Sequence, residues 1–238
     1  IKKTAAIVVT YNRKELLLQN IEALLKQTVR NQLEIVIIDN ASTDGTFEAI
    51  KRYVDKGEII YINTGSNLGG AGGFQYGIRY AAEHDYEFVW VMDDDCIPRE
   101  NTLEKFYEAD QILKGDYGYL SSKVLWKDGT ICSMNRQRKT VVQYNNDFIS
   151  KYVPIKMASF VSLFIPVRIV KNIGLPIKEF FIWTDDWEYT RRISIKYACY
   201  LINSSVVVHK SKNNIGANIA TEEPERLERF GYLYRNDV

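Results

Sequence analysis

The segment FVWVMDDD, residues 88–95, decides the fold. An unbroken apolar run, Phe88 to Met92, leads straight into Asp93, Asp94 and Asp95. A strand inside a parallel sheet is buried on both faces, so it reads as a continuous apolar run rather than an alternating one. In open α/β sheets, ligands bind beyond the carboxyl ends of such strands. An acid cluster directly after a buried strand therefore stands where a ligand would. Two unit charges about 4 Å apart repel by roughly 4 kcal/mol at an effective dielectric near 20, so three adjacent carboxylates call for solvent or a cation. Extended backbone puts residues i and i+2 on one side, which would aim Asp93 and Asp95 at a common ion and turn Asp94 elsewhere. A hard divalent cation, Mg²⁺ or Mn²⁺, suits carboxylate ligands and diphosphate chemistry. A solvated acidic turn is the competing reading.

Upstream, three more short apolar runs end in polar residues. Thr4–Thr10 leads into Tyr11 and Asn12, Leu33–Ile38 into Asp39 and Asn40, and Ile59–Ile62 into Asn63 and Thr64. Helical spacing separates them: apolar residues fall at 16, 17, 21, 24 and 25 between Arg13 and Lys26. Asp44 is placed to cap a helix through Val54. The glycine-rich stretch Asn67–Phe74 reads as a loop before a helix that runs to Ala82. The resulting βαβαβαβ order predicts a parallel sheet with right-handed crossovers, and four polar strand ends in register describe a site. The glycine loop would let backbone N–H groups approach a ligand at a helix start, or it would serve tight helix–strand packing. It does not match the dinucleotide fingerprint, because no GxGxxG follows the first strand.

Downstream the pattern is less regular. A helix to Lys114 precedes a strand over Tyr117–Leu125 and a hairpin turn at Trp126–Thr130. The polar stretch Cys132–Lys151 is expected to form a mobile flap, with Arg136, Arg138 and Lys139 as a small basic patch. Ala158–Ile165 reads as a strand, followed by a short helix stopped by Gly174 and Pro176. The stretch WTDDWE, residues 183–188, opens a helix over Asp186–Ile195. Acids there are favoured by the helix dipole, or they supply a general base flanked by aromatic platforms for a sugar. A last strand, Val206–Val208, ends in His209, a candidate third metal ligand; His84 is read as structural. A final helix is predicted over Pro224–Arg235, its charges mixed, with Phe230, Tyr232 and Tyr234 packing on the domain.

The chain has 238 residues, 46% hydrophobic and 26% charged, with a formal net charge of +1. That length allows one domain with a substantial core, and the near-neutral balance excludes a bulk electrostatic case for nucleic acid. Cys96, Cys132 and Cys199 are widely spaced and odd in number, which argues against a disulfide framework and points to a reducing cytoplasm. Met157–Pro166, the longest apolar stretch, is too short to span a bilayer. The abrupt limits, Ile1 and Val238, suggest a longer natural protein.

Together these residues resemble family-2 glycosyltransferases with the GT-A fold, over nearly the whole chain. VVTYNR, IIDNASTDGT and VMDDD stand at the family's usual places, while NLGGAGGF and FFIWTDDWEY look like the branch of bacterial galactofuranosyltransferases and related rhamnosyltransferases. The resemblance implies a single, mostly parallel sheet flanked by helices over residues 1–215, with 216–238 a C-terminal helical segment. It implies that Thr10, Tyr11, Asn12 and Arg13 line the nucleotide pocket, that Asp39 and Ser42 face the base, and that Asn67, Gly69, Gly70 and Gly73 sit by the donor diphosphate together with Asp94. Asp93, Asp95 and His209 would hold Mn²⁺ or Mg²⁺. Asp186 matches the family's catalytic base, with Asp185 and Glu188 holding the acceptor. Some galactofuranosyltransferases carry an acid where Thr184 stands here.

What the resemblance implies about function is an inverting transfer from UDP-galactofuranose, with dTDP-rhamnose as alternative donor, to a glycan or polyprenyl-linked glycan of the bacterial cell surface. The setting would be cytoplasmic, peripheral on the inner face of the plasma membrane through further C-terminal sequence. A metal-dependent nucleotidyltransferase would also pair strand-end acids with Mg²⁺, but it normally carries a basic glycine-rich loop after the first strand. A binding module without catalysis would not need the extra acids Asp185, Asp186 and Glu188.

Overall fold

The computed structural model describes residues 3–216, 219–221, 224 and 227–236. Its first half follows the apolar runs closely. Strands β1 (Thr4–Thr10), β2 (Leu33–Asp39), β3 (Ile60–Asn63) and β4 (Phe88–Asp93) alternate with helices α1 (Lys14–Leu25), α2 (Thr46–Asp55) and α3 (Gly69–Glu83). All pairings among these four strands are parallel, in spatial order β3-β2-β1-β4. The register sets Thr10 beside Asp39, Asp39 beside Asn63 and Val9 beside Asp93, so the polar ends do lie along one edge of the sheet.

The second half turns the sheet mixed. It contains β5 (Cys96–Pro98), α4 (Thr102–Leu113), β6 (Leu120–Trp126), β7 (Tyr152–Pro154), β8 (Leu163–Pro166), α5 (Val167–Ile173), α6 (Asp185–Lys196), β9 (Tyr200–His209) and α7 (Arg229–Asn236). Strand β8 runs antiparallel beside β4, and β6 antiparallel beside β8. The long β9 lies parallel to β6 with a register break after Ser122, and both β5 and β7 pair antiparallel with it. Pairing of Cys96 with His209 is the step that matters for function: it brings the end of β9 beside Asp95.

Alternation along β1 divides the core. Ala6 and Val8 face one layer with Leu17, Ile21 and Leu24 of α1 and Leu103 and Phe106 of α4. Ala5, Ile7 and Val9 face the other with Phe74 and Ile78 of α3 and Tyr189 and Ile193 of α6.

Three sequence expectations are corrected. The glycines of residues 69–73 lie inside α3 rather than in a loop. A Cβ on Gly73 would stand 2.6 Å from Val9 Cγ1, and one on Gly77 would collide with Ile7 Cγ2, so the glycines let α3 press onto β1. The strand expected from Ala158 begins only at Leu163, because Ser162 takes φ 62° to present its hydroxyl to Trp90 Nε1 at 2.9 Å and to Ser122 Oγ at 2.7 Å. The stretch Cys132–Lys151 is tied down: Gln137 is buried and donates to Ser122 O at 2.8 Å, and Arg138 N–H donates to Met157 O at 2.9 Å. Of the final helix, Arg229–Asn236 is helical; Glu225 and Arg226 lie outside the described residues. Among the described residues, no helix is long and apolar enough to cross a membrane.

Candidate active site

Strand β4 ends at Asp93 and the chain turns through Asp94 and Asp95, so the three acids diverge by a turn rather than by strand alternation. Asp94 points inward. It accepts from Thr10 Oγ1 at 2.8 Å and lies 3.4 Å from Arg13 Nη1. Asp95 Oδ2 accepts from the same Nη1, at 2.7 Å. Asp93, Asp95 and His209 offer three ligand atoms within 4.8 Å of one another.

The hydrogen bonds around His209 fix what its ring can do. Nδ1 lies 2.7 Å from Asn135 Oδ1, an oxygen that also receives the Cys132 thiol at 3.1 Å. That oxygen is an acceptor, which assigns the proton to Nδ1. Nε2 then faces Asp95 Oδ1 across 3.0 Å, where a proton on Nε2 or a cation can bridge the two buried atoms. Without a cation the raised ring carries that proton; once the proton is displaced, Nε2 and Oδ1 offer lone pairs to one point. A histidine held through its far N–H, with two carboxylates nearby, is a donor set that fits a divalent cation such as Mn²⁺ or Mg²⁺.

The electrostatics agree with that fit. Burial pushes Asp93 up to about 6, with Asp95 adding to the effect. Burial likewise pushes Asp94 up to about 7, against the pull of Arg13. Asp95 is the exception, because its bonds to His209 and Arg13 outweigh burial and hold it below the usual carboxylate value. For His209, burial acts to lower the pKa, but Asp95 overcomes it and raises the ring to about 10. The acids are thus short of compensating charge, which a bound cation would supply.

A cleft of about 810 Å³ opens over this cluster. Asp93 and His209 form part of its wall, and Trp183, Thr184, Asp185, Asp186 and Trp187 form another. Helix α6 begins at Asp185, so both acids occupy its first turn. Asp186 Oδ1 accepts the Trp187 N–H at 2.7 Å. Burial nevertheless pushes Asp186 up to about 7, and the negative charge of Asp93 contributes. Asp185 is buried at 7% exposure and also raised, by burial first and Asp186 second. A carboxylate with a pKa near neutrality, open to a cleft with aromatic walls, has the properties of a general base.

The residues expected to line a nucleotide pocket form a separate set of loops at the ends of β1, β2 and β3. Asn12 (φ 53°) and Ser42 cross-brace two of them: Asn12 N–H donates to Ser42 Oγ at 2.9 Å and Thr43 N–H to Asn12 Oδ1 at 2.7 Å. Asp39 is buried and accepts from Tyr61 Oη at 2.7 Å and Ser42 N–H at 2.8 Å. Tyr11 stands 45% exposed beside them. Asn67 is exposed, and its Oδ1 accepts the Gly69 N–H at 2.9 Å at the start of α3. Gly70 reaches the cleft wall.

Other residues expected at the site are buried or paired within the protein. Thr10 is 1% exposed and committed to Asp94, so both support the site from beneath. Gly69 and Gly73 are buried against Phe181 and Val9. Glu188 is paired with Arg192 at 2.7 and 2.8 Å and forms no part of the cleft wall. Asn135, by contrast, gave no signal in sequence: it ends a short 3-10 turn, Ser133–Asn135, and reaches His209 only through the fold. In the basic patch, Arg138 stacks 3.5 Å above the Trp187 ring and donates to Tyr144 Oη at 2.9 Å, so it braces the cleft.

The family model described as glycosyl transferase family 2 matches residues 5–122, which covers the whole parallel half and the acid cluster. Residues 5–122 thus belong to the family-2 glycosyltransferases. It is 32% identical over 101 residues to galactofuranosyltransferase GlfT1 of Mycolicibacterium smegmatis, covering 41% of this chain and 32% of that protein. It is 30% identical over 122 residues to glycosyltransferase GlyG of Streptococcus pneumoniae serotype 4, covering 48% and 39%. The chain thus aligns with well under half the length of these relatives. Among solved structures, it is similar in fold to GalNAc-T7 crystallised with UDP, GalNAc and Mn²⁺, at TM-score 0.72 and 14% identity over 89% of this chain and 44% of that one. It is similar also to S. aureus TarS 1-349, at TM-score 0.66 and 18% identity over 89% and 61%.

Proposed function

We propose that this chain is the catalytic part of an inverting glycosyltransferase that moves a sugar from a nucleotide-sugar donor, UDP-galactofuranose first, to a hydroxyl of a glycan or lipid-linked glycan. The observation that carries the reading is one cleft walled on one side by Asp93 and His209 of a metal-ligand set and on the other by the raised carboxyl of Asp186. The galactofuranose donor is favoured by the likeness to GlfT1. UDP as the carrier agrees with the UDP complexes of TarS and GalNAc-T7.

In this reading Asp186 takes the proton of the acceptor hydroxyl. The freed oxygen attacks the anomeric carbon, and the bond from that carbon to the donor diphosphate breaks, its electron pair leaving on the phosphate oxygen. Asp93, Asp95 and His209 would hold Mn²⁺ or Mg²⁺, which supplies Lewis-acid neutralisation of the departing diphosphate when bound. Arg13 offsets part of the charge on Asp94 and Asp95 and so lessens the repulsion between the acid cluster and the donor. Trp183, Trp187 and Phe160 give the acceptor sugar apolar faces to lie on.

Thermal stabilisation by UDP, dTDP and GDP, each with and without Mn²⁺, tests the reading. Ligand at about 100 times Kd adds roughly 2.7 kcal/mol, or about 5–10 °C in Tm for a chain of this size. A Mn²⁺-dependent shift with UDP alone is expected. A shift with dTDP alone would move the donor to dTDP-rhamnose, and no shift with any nucleotide would remove the glycosyltransferase proposal.

A further inference from the structure

The backbone just ahead of Asp186 is strained. Phe181, Trp183 and Thr184 take φ of 63°, 65° and 63°, and none is glycine. Bulky residues persist in left-handed conformations only where the surroundings over-determine them. Two elements do so here. From α3, Ala71 N–H donates to Phe181 O at 3.1 Å, and a Cβ on Gly69 would collide with that same carbonyl. From α7, the Asn236 amide Nδ2 lies 3.0, 3.2 and 3.1 Å from the carbonyl oxygens of Phe180, Ile182 and Trp183. Arg235 adds a bond to Phe180 O at 3.1 Å. Aromatic packing completes the hold: Tyr232 stacks on Phe181 with centroids 4.8 Å apart, and buried Phe230 meets the Trp183 ring edge-on at 5.1 Å.

The geometry points to α7 as the element that positions Asp186, with the Asn236 side-chain amide as its positioning residue. The loop it grips is the N-terminal lead into α6, whose first turn carries Asp185 and Asp186. Ile182, Trp183 and Thr184 are themselves cleft wall, and so is Leu233 of α7. The far C-terminal helix is therefore built into the acceptor side of the site rather than appended to it. One amide serving three carbonyls of a strained turn is a directional device: aspartate at 236 has the same shape but turns acceptor oxygens toward acceptors. The glycine motif acquires a role in the same way. Gly69 makes room for Phe181 O, so the start of α3 holds the base loop from the opposite side.

This proposal rests on the reading of Asp186 as general base, and the test separates the two. Wild type, Asn236→Ala, Asn236→Asp, Asp186→Asn and Asp186→Asn/Asn236→Ala are compared for UDP release from UDP-galactofuranose, with an alkyl galactofuranoside or water as acceptor, and for Mn²⁺-UDP affinity. Asn236→Ala and Asn236→Asp are expected to lower kcat by about 10–100-fold, the scale of a misplaced reacting group, with Mn²⁺-UDP affinity unchanged. Adding Asn236→Ala to Asp186→Asn should cost almost nothing more, because residues that act through one another are not additive. The same fold-loss in both backgrounds, or wild-type kcat in Asn236→Asp while Asp186→Asn is inactive, overturns the positioning role and leaves the base reading intact. Full activity of Asp186→Asn overturns the base reading, and the positioning role with it. Hydrogen exchange needs no substrate: in Asn236→Asp the amides of residues 180–187 should exchange about tenfold or more faster while those of β1 and β4 do not change. Unchanged exchange at 180–187 overturns the clamp.

Discussion

His209 and Asp95 face each other across 3.0 Å, Nε2 to Oδ1, a buried contact bridged by a proton in the absence of a cation. The opposite ring nitrogen is engaged by Asn135 at 2.7 Å, so the approach is imposed from behind the ring. Such an arrangement predicts that Asn135 is needed for metal affinity although it would never touch the ion. Asn135→Ala should weaken Mn²⁺ binding by about 10–100-fold, the usual cost of losing the partner behind a metal-bound histidine. Water-proton relaxation or calorimetry measures it directly. An Asn135→Ala protein that binds Mn²⁺ like wild type would show that the ring is oriented by other contacts.

The pH dependence of stability carries a sign that metal should reverse. Asp93, Asp94 and Asp186 are raised from 3.8 to about 6, 7 and 7 by burial. Between their unfolded and folded values the native state holds more protons than the unfolded chain, so stability falls as pH rises from about 4 to about 7. His209 is raised from 6.5 to about 10, chiefly by Asp95 working against burial. Its contribution is complete below its unfolded pKa and is lost as pH rises toward the folded one. Asp95, held low, contributes stability that disappears only when pH falls through its depressed pKa. The metal-free protein should therefore lose Tm steadily from weakly acid to weakly alkaline pH. A cation that binds the ionised carboxylates and the unprotonated Nε2 should restore it, increasingly so at higher pH. Calorimetry in chelator and in Mn²⁺ checks this; a Mn²⁺ gain that does not grow with pH would contradict it.

The glycines of α3 separate packing from ligand contact. Gly77 and Gly73 lie against Ile7 and Val9 with no room for a methyl group, whereas a Cβ on Gly70 meets nothing within 4 Å. Gly77→Ala should cost about 1–3 kcal/mol, as over-packing does in well-filled cores. Gly70→Ala should leave stability equal or slightly higher, since alanine favours a helix interior by up to about 1 kcal/mol over glycine. Urea midpoints decide between the two, and an equal loss at both positions would mean that α3 does not press on β1 as described.

The sequence was legible where burial imposes a pattern and opaque where a contact is made at long range. Strands flanked by helices on both faces must be apolar throughout, so Phe88–Met92 and its three neighbours could be read with their polar ends. His209 could be proposed because an acid cluster at a strand end lacks a ligand. Glycine is ambiguous by nature: absence of a side chain permits approach by a phosphate or by a neighbouring strand, and at Gly73 the neighbour is Val9. Asn135 and Asn236 were illegible because their partners, His209 and the Phe180–Trp183 carbonyls, are distant in sequence and meet them only after folding. Ser162 turns where an apolar run invited a strand, because the buried Trp90 N–H and the Ser122 hydroxyl need a partner there.

Asp186 and Glu188 sit two residues apart in the same helical turn, yet their surroundings differ: Asp186 lines the cleft and Glu188 is paired with Arg192. Glu188 reads across one turn to Arg192, and Arg192 in turn donates to the carbonyls of Ile173 and Leu175 at 3.0 Å each, so the pair ties α6 to the end of α5. That partner was available in sequence, four residues on. Glu188→Gln should leave kcat near wild type and cost only about 0.3–0.5 kcal/mol, the scale of a helix-surface ion pair. Asp186→Asn should leave Mn²⁺-UDP affinity intact and remove most turnover, by about 10²–10⁴-fold if proton removal is its role. The wild-type rate should rise with pH through a single ionisation at or below about 7, because part of the elevation at Asp186 comes from the charge on Asp93, which a bound cation would neutralise. In Asp186→Asn that limb should be absent from the residual rate. A residual rate in Asp186→Asn that keeps the same limb would assign the titrating base to another group, with the buried Asp185 the first to examine.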